Sequence, residues 1–242
     1  MNDFKEKIET DENDTIVIKM GNEEPKDNRL DSISDKNEVI ASGAIVHKFD
    51  TPKSSLITLV VRGGNRLDIY NYPQFLLTGE AKEAAKDFKT GDHVQIKGYC
   101  MTFLNKKGDT AEYEDVIMGY AIERTKSRLA KLTLEQGLGS HRDIPTAEFF
   151  IAGTVVSFEI RNNSLHIVIK AVEEGKRPTY SNYYMYLNDF EKVMSILKKG
   201  KRICAVGEIQ TKKIEREGEK PLYIQRNVIS DISSIENVLT IK

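Results

Sequence analysis

The sequence predicts a mostly β protein made of two tandem five-stranded barrels, each with one helix between its third and fourth strands. Three observations carry this prediction. Short β-type runs begin at residue 39, the same series of runs returns about 110 residues later, and three glycines keep their register between the copies. A chain of 242 residues has room for two domains of ordinary size.

The glycine register is the strongest sign of duplication. Each glycine lies inside an apolar frame that both copies share, and the separations are 110, 109 and 109 residues for the pairs Gly43 and Gly153, Gly91 and Gly200, and Gly98 and Gly207. Matching apolar runs arise often by chance, whereas three glycines at matched spacing within matched runs do not. We therefore interpret the chain as a tandem duplication.

In the first copy, alternating apolar residues predict five strands, at 40–49, 56–62, 67–72, 93–103 and 113–122. Residues 63–65, Gly-Gly-Asn, predict the tight turn between the second and third strands. Pro73 ends the third strand because proline has no N–H to donate to a ladder. Apolar residues at helical spacing then predict a helix over 74–88, which Gly91 terminates.

The second copy repeats this order, with strands predicted at 150–158, 164–171, 180–187, 202–210 and 222–232 and a shorter helix at 189–197. Five strands with a helix after the third form the OB-fold, a partly open Greek-key barrel. The domains are thus predicted at 39–125 and 149–232. A linker that is partly helical, 126–148, joins them, and a tail, 233–242, follows.

Residues 1–38 form an acidic arm, with 12 Asp and Glu against 6 Lys and Arg. So polar a segment cannot bury enough surface to offset its ordering entropy, and we expect it to be largely disordered, apart from a strand or docking motif near residues 15–20. The first barrel is neutral, with 11 residues of each sign, whereas residues 149–242 hold 15 basic and 11 acidic residues. We therefore expect the second barrel to contribute more electrostatic affinity for an anionic partner.

Several classes of protein are excluded. The apolar runs are far shorter than the roughly 20 residues of a membrane helix, and the first residues lack the features of a secretion signal, so we expect a cytoplasmic protein. Cys100 and Cys204 build neither a disulfide scaffold nor a Cys-x-x-Cys site. No catalytic motif is present and the four histidines lie in four different segments, so we expect no enzyme, metal or cofactor.

Each copy resembles the OB domain of bacterial single-stranded DNA-binding proteins. The resemblance rests on Gly43 in strand one, on Ile57 to Arg62 in strand two, and on Phe88-x-x-Gly91-Asp92-x-Val94-x-Ile96-x-Gly98 before and within strand four. It covers 39–125 well and 149–232 more loosely. A two-barrel chain further suggests a plasmid, phage or mobile-element version of the family.

Two departures limit what the resemblance carries. That family uses tryptophans as stacking platforms, and this chain has none. The family also ends in an acidic tip that recruits partners, whereas this sequence ends Asn-Val-Leu-Thr-Ile-Lys. The acidic segment here is amino-terminal, so we hypothesise that it competes for the basic grooves or recruits a protein partner.

Non-specific binding of a single strand needs aromatic faces for base stacking and a basic groove for phosphates, on strands two and three and the loops beside them. Candidates in the first barrel are Phe49, Lys53, Arg62, Arg66, Tyr70, Tyr72, Lys106 and Lys107. Candidates in the second are Phe158, Arg161, Lys170, Lys176, Arg177, Tyr184, Tyr186, Lys212, Lys213 and Arg216, with Tyr180 and Tyr183 in the same tyrosine cluster.

Each candidate also has an ordinary structural interpretation. Tyrosine favours strands and often closes a barrel end with its hydroxyl in water, and lysines in hairpin loops are commonly just solvated. Alternation along a strand places Tyr70 with Tyr72, and Tyr184 with Tyr186, on one face, which favours a binding role for these pairs.

The leading hypothesis is a non-enzymatic protein that coats single-stranded DNA during replication, recombination or plasmid and phage transfer. Two alternatives stay open: an OB-fold module for protein interaction or assembly, and an RNA-binding or replication accessory factor. Oligomeric state also stays open, because edge strands of an open barrel could pair with a second chain.

Overall fold

The computed structural model describes residues 8–10, 16–18, 34–63, 66–107, 110–125, 146–161, 164–186, 190–214 and 222–235. Within these residues the chain forms two compact units. The first unit consists of residues 38–150 and 207–227, and the second of residues 1–37, 151–206 and 228–242. The prediction of a mostly β protein with OB-type barrels is confirmed.

The elements before and within the first barrel are β1 (Ile8–Thr10), β2 (Ile16–Ile18), β3 (Lys36–Asp50), β4 (Ser54–Gly63), β5 (Arg66–Asn71), β6 (Gln74–Thr78), α1 (Gly79–Ala85), β7 (His93–Lys107) and β8 (Thr110–Arg124). Those of the second barrel are β9 (Ala147–Arg161), β10 (Ser164–Ala171), β11 (Thr179–Tyr186), α2 (Phe190–Ile196), β12 (Arg202–Ile214) and β13 (Leu222–Ser234).

The first barrel closes through β3, β7, β8, β6 and β4, because β4 pairs back onto β3. The second closes in the same way through β9, β12, β13, β11 and β10, with β10 pairing back onto β9. In each barrel the third and fifth strands run parallel, β6 with β8 and β11 with β13, while the hairpin pairs are antiparallel. This is the OB-fold topology.

Alternation decides which side chains enter each core. On β4, Ile57, Leu59 and Val61 are all fully buried, and on β10 the alternate residues Leu165, Ile167 and Ile169 are at most 1% exposed. Successive side chains on a strand point to opposite faces, so the residues between these point outward. On β10 the outward side is half-exposed, whereas on β4 two of the outward residues, Thr58 and Arg62, are also covered by neighbouring residues.

The repeat is visible in the backbone hydrogen bonds. In the first barrel Gly91 N–H donates to Ile45 O at 2.8 Å and Ile45 N–H to Asp92 O at 2.9 Å. In the second, Gly200 N–H donates to Val155 O at 2.8 Å and Val155 N–H to Lys201 O at 2.9 Å. Gly91 and Gly200 have φ angles of +93° and +81°, which explains why a residue without a Cβ occupies both turns.

Gly43 and Gly153 are matched for a different reason. A Cβ at Gly43 would lie 2.4 Å from Val60 O, and one at Gly153 would lie 2.4 Å from Lys170 O. Strand two therefore crosses strand one at the distance that only glycine permits, at equivalent points of the two barrels.

The prediction of a helix over 74–88 runs three residues past the end of α1 and is wrong for its first five residues. They form β6, whose Phe75 and Leu77 are fully buried, and the helix α1 begins only at Gly79. β6 pairs with β4 on one side and with β8 on the other, and so completes the barrel. So short an apolar run fits both the helical and the strand period, and the long-range pairing with β8 makes it a strand.

The structure describes parts of the acidic arm. β2 lies within the stretch where a strand was expected, pairs with β1, and meets β9 at Ile16 and Ile160. The Asp35 carboxylate accepts a hydrogen bond from Val172 N–H at 2.8 Å and contacts the Arg202 guanidinium at 2.5 Å. The structure does not describe the rest of the arm, most of the 126–148 linker or residues 236–242. The disorder predicted for the arm therefore lies outside the described residues.

Candidate nucleic-acid interface

The outward face of β11 carries three of the four tyrosines of the second-barrel cluster. Tyr180 is 44% exposed and Tyr186 is 59% exposed, while Tyr184 between them is half-buried. Tyr183 points the other way and is fully buried, so it is a core residue. A strand rises about 3.3 Å per residue, which puts Tyr184 and Tyr186 about 7 Å apart on one surface.

Strand β10 supplies the neighbours of these tyrosines. In the antiparallel register Lys170 lies opposite Tyr180, His166 opposite Tyr184, and Ser164 opposite Tyr186. Facing pairs of this kind have Cβ atoms about 5 Å apart, so their side chains are neighbours on one face. We call the outward residues 164, 166, 168 and 170 of β10 and 180, 182, 184 and 186 of β11 the tyrosine face.

Basic residues border the tyrosine face. Arg161 on β9 is paired in register with Ser164 and is exposed, and its Nε lies 2.5 Å from an oxygen of Glu159. At the other end, in the loop between β10 and β11, Lys176 and Arg177 are exposed, with Lys176 Nζ 2.5 Å from Glu173. Exposed pairs of this kind are worth about 0–1 kcal/mol, so a phosphate can compete for these cations.

Phe158 lies elsewhere. It is half-buried on β9 and pairs in register with Ile167, a core residue, so its side chain lies on the opposite side of the sheet from Tyr184.

The equivalent face of the first barrel is smaller. Tyr70 on β5 is 42% exposed and pairs with Arg62 on β4, whose guanidinium carbon lies 5.6 Å from the centre of the Tyr70 ring. Arg62 itself is only 5% exposed, so its contact with Tyr70 is made from within the protein. The structure therefore makes Arg62 a support for the Tyr70 ring rather than a surface cation.

Residues 71–74 of the first barrel are hydrogen-bonded to residues of β12 and β13. The parts of these strands within residues 207–227 belong to the same unit. Thr211 N–H donates to the Asn71 side-chain oxygen at 2.9 Å, and Tyr72 N–H donates to Thr211 Oγ1 at 2.8 Å. Gln74 N–H donates to Gln225 Oε1 at 2.9 Å. Tyr72 is half-buried beside these contacts, so it does not share the exposure of Tyr70.

The first loop of the first barrel carries the remaining two described candidates. Phe49 is 56% exposed and lies opposite Leu56. Lys53 is exposed and borders a depression that is also lined by Glu80, Lys82 and Glu83. The charges in this depression are mixed, as they are at the border of the tyrosine face.

The structure leaves six candidates without a described side chain. Arg66, Lys106, Lys107, Lys212 and Lys213 have their backbones in β5, β7 and β12, while Arg216 lies wholly outside the described residues. Among the residues that the structure describes, no group of three or more His, Cys, Asp or Glu side chains is arranged to hold a metal ion. No described helix is long and apolar enough to cross a membrane.

Three ionisable groups near strand ends have shifted pKa values. The Ser55 hydroxyl, above all, lowers the pKa of Asp50, with Lys48 adding to the effect. The backbone N–H of Lys89 lowers the pKa of Asp92, helped by Arg124. Burial raises the pKa of the Cys204 thiol, which keeps it protonated and a poor nucleophile.

His166 also lies on the tyrosine face, although the sequence pattern did not single it out. Its ring meets the Tyr184 ring edge-on, with centroids 4.6 Å apart and an angle of 74° between the planes. The signal was present in the alternation of β10, where 164, 166, 168 and 170 share a face. Only the register with β11 shows that this face is the tyrosine face.

Solved structures of a single-stranded DNA-binding protein superpose on this chain. The wild-type single-stranded DNA-binding protein of Thermus aquaticus superposes with a TM-score of 0.56, covering 84% of this chain and 94% of that one at 12% identity. The two proteins share a fold. A deletion variant of the same Thermus protein gives 0.52, over 83% and 95% of the two chains, also at 12% identity. No protein-family model and no curated protein sequence matches this chain.

Proposed function

We propose that this chain binds single-stranded DNA without sequence preference and without catalysis, chiefly through the tyrosine face of the second barrel. The observation that carries the proposal is the row of three outward tyrosines on β11, bordered by Lys170 on β10 and Arg161 on β9. Strands two and three of an OB-fold form its binding surface. Base stacking on an aromatic ring contributes about 1–3 kcal/mol per base.

The first barrel contributes a second, smaller contact in this proposal. Tyr70, backed by Arg62, offers one stacking surface, and Phe49 offers another at the end of β3. Lys53, Arg66, Lys106 and Lys107 would add phosphate contacts from the loops. In the second barrel Lys176, Arg177, Lys212, Lys213 and Arg216 would do the same.

A protein of this kind would coat and protect single strands during replication, recombination or transfer of plasmid or phage DNA. The acidic arm, whose β2 joins the second barrel at β9, would either compete with DNA there or recruit a protein partner. Deleting residues 1–33 would leave the Asp35 contacts in place and should tighten DNA binding if the arm competes.

The test is fluorescence anisotropy of a labelled oligo-dT with the full chain, titrated with salt. Each phosphate that a cation neutralises contributes about −0.7 to the slope of log affinity against log salt for a single strand. A steep slope supports the proposal. Absent or salt-independent binding would favour a protein-interaction module instead, and tighter binding of an RNA oligomer of equal length would favour an RNA-binding factor.

A further inference from the structure

His166 lies in the middle of the tyrosine face. It occupies the row formed by Glu159 on β9, His166 on β10 and Tyr184 on β11, which pair directly across the sheet. The next outward row holds Arg161, Ser164 and Tyr186. A single strand that stacks on Tyr184 and Tyr186 must therefore pass over or beside the half-buried imidazole.

The charged groups around His166 have mixed signs. From β9, Glu159 faces it, and the Nε of Arg161 lies 2.5 Å from that carboxylate. From β11, Tyr184 offers an aromatic ring, and on β10 itself Lys170 lies four residues along the same face. β2, which meets β9 at Ile160, consists of Ile, Val and Ile and brings no titratable side chain.

We propose that His166 is a further nucleic-acid-contacting residue, and that its protonation strengthens the binding of a single strand to the tyrosine face. The inference rests on the function proposed above. An imidazolium adds a positive charge where phosphates pass. The imidazole also lies beside the ring on which a base would stack, since the His166 and Tyr184 ring centroids are 4.6 Å apart.

The direction of the pH effect follows from linkage. A histidine in water has a pKa of about 6.5, and bound phosphates favour its charged form, so the DNA-bound pKa is the higher of the two. Protonation therefore strengthens DNA binding fully at pH values below the pKa of the histidine in the free protein. This gain in affinity is lost as the pH rises through the pKa in the DNA-bound protein. If DNA raises the pKa by about one unit, the affinity changes about tenfold.

The first experiment compares binding of labelled oligo-dT to the full chain at pH 8.0 and pH 5.5, at one salt concentration. We expect the wild-type chain to bind about tenfold more tightly at the lower pH. H166Q should lose most of this difference. H47Q is the matched control, because His47 is exposed on β3 of the first barrel and is not one of the residues of the tyrosine face, and it should keep the difference.

The second experiment follows the His166 ring protons by NMR during a pH titration, with and without oligo-dT. The inference expects the pKa of this histidine to rise when the oligomer is added. An unchanged value overturns it, as does an H166Q variant that keeps the wild-type pH dependence. A wild-type chain that binds no oligomer at either pH overturns the proposed function itself, so the two failures are distinguishable.

Discussion

The two barrels differ most in their third strands. In the second barrel β11 is continuous from Thr179 to Tyr186, and its outward side carries Tyr180, Tyr184 and Tyr186 in one row. In the first barrel Pro73 divides the equivalent segment into β5 and β6, so that Tyr70 lies on a short strand of the hairpin with β4. A proline has no backbone N–H to donate to a ladder, which accounts for the interruption between β5 and β6.

A second difference concerns what lies beside that strand. Residues 71–74 of the first barrel hydrogen-bond to Thr211 and Gln225, whereas the tyrosine face retains two tyrosines that are 44% and 59% exposed. In the first barrel this strand is therefore partly covered by contacts within its own unit, whereas in the second barrel the outward tyrosines of β11 stay exposed. Because residues 207–227 belong to the first unit, cutting the chain between the barrels would damage both, and point substitutions are the better test.

The largest effects should come from the paired glycines of strand one. Gly153→Ala and Gly43→Ala each place a methyl group 2.4 Å from a backbone carbonyl oxygen, so each should cost about 1–3 kcal/mol of unfolding free energy in denaturant titration. Gly153→Ala should also weaken oligo-dT binding more than Gly43→Ala. Equal weakening by the two variants would contradict the unequal roles of the barrels.

Removing one stacking ring tests the tyrosine face directly. Tyr186→Leu keeps an apolar strand residue but removes the ring, and should cost about 1–3 kcal/mol of oligo-dT binding free energy by anisotropy. Tyr120→Leu is the matched control, since Tyr120 is 49% exposed on β8 of the first barrel, outside strands two and three. If both variants bind alike, the tyrosine face is not the main contact.

Removing a hydrogen bond between β12 and residue 72 should lower the stability of the fold and leave the affinity for oligo-dT nearly unchanged. Thr211→Val keeps the shape of the side chain but removes the acceptor for Tyr72 N–H, and should lower the unfolding free energy by about 1 kcal/mol. Oligo-dT affinity should change less than twofold. A large loss of affinity would show that the Thr211 hydrogen bonds position the phosphate contacts proposed for Lys212 and Lys213.

The smallest expected effect is a change in the pKa of Asp50, which lies at the end of β3. The pKa of Asp50 is lowered in the folded chain mainly by the Ser55 hydroxyl, so this interaction stabilises the fold above the ordinary aspartate pKa and is lost as pH falls through the lowered value. Ser55→Ala should bring the Asp50 pKa, followed by NMR, closer to its ordinary value. An unchanged pKa would assign the shift to Lys48 instead.

Much of the fold could be predicted from local patterns. Alternation places β10 at its predicted bounds, 164–171, and the matched glycines predict two copies of one barrel because their constraints are local: a turn with positive φ and a close strand crossing. The choice of Tyr184 and Tyr186 as neighbours on one face follows from the same period of two.

Tertiary structure alone decided the rest. Residues 74–78 become a strand because β8, about 40 residues later, pairs with them and closes the barrel, which no local period encodes. Arg62 and Tyr183 are buried, and His166 meets Tyr184, because of which strands lie beside them. Side-chain period sets the face on which a residue lies, but the pairing of distant strands determines what that face meets.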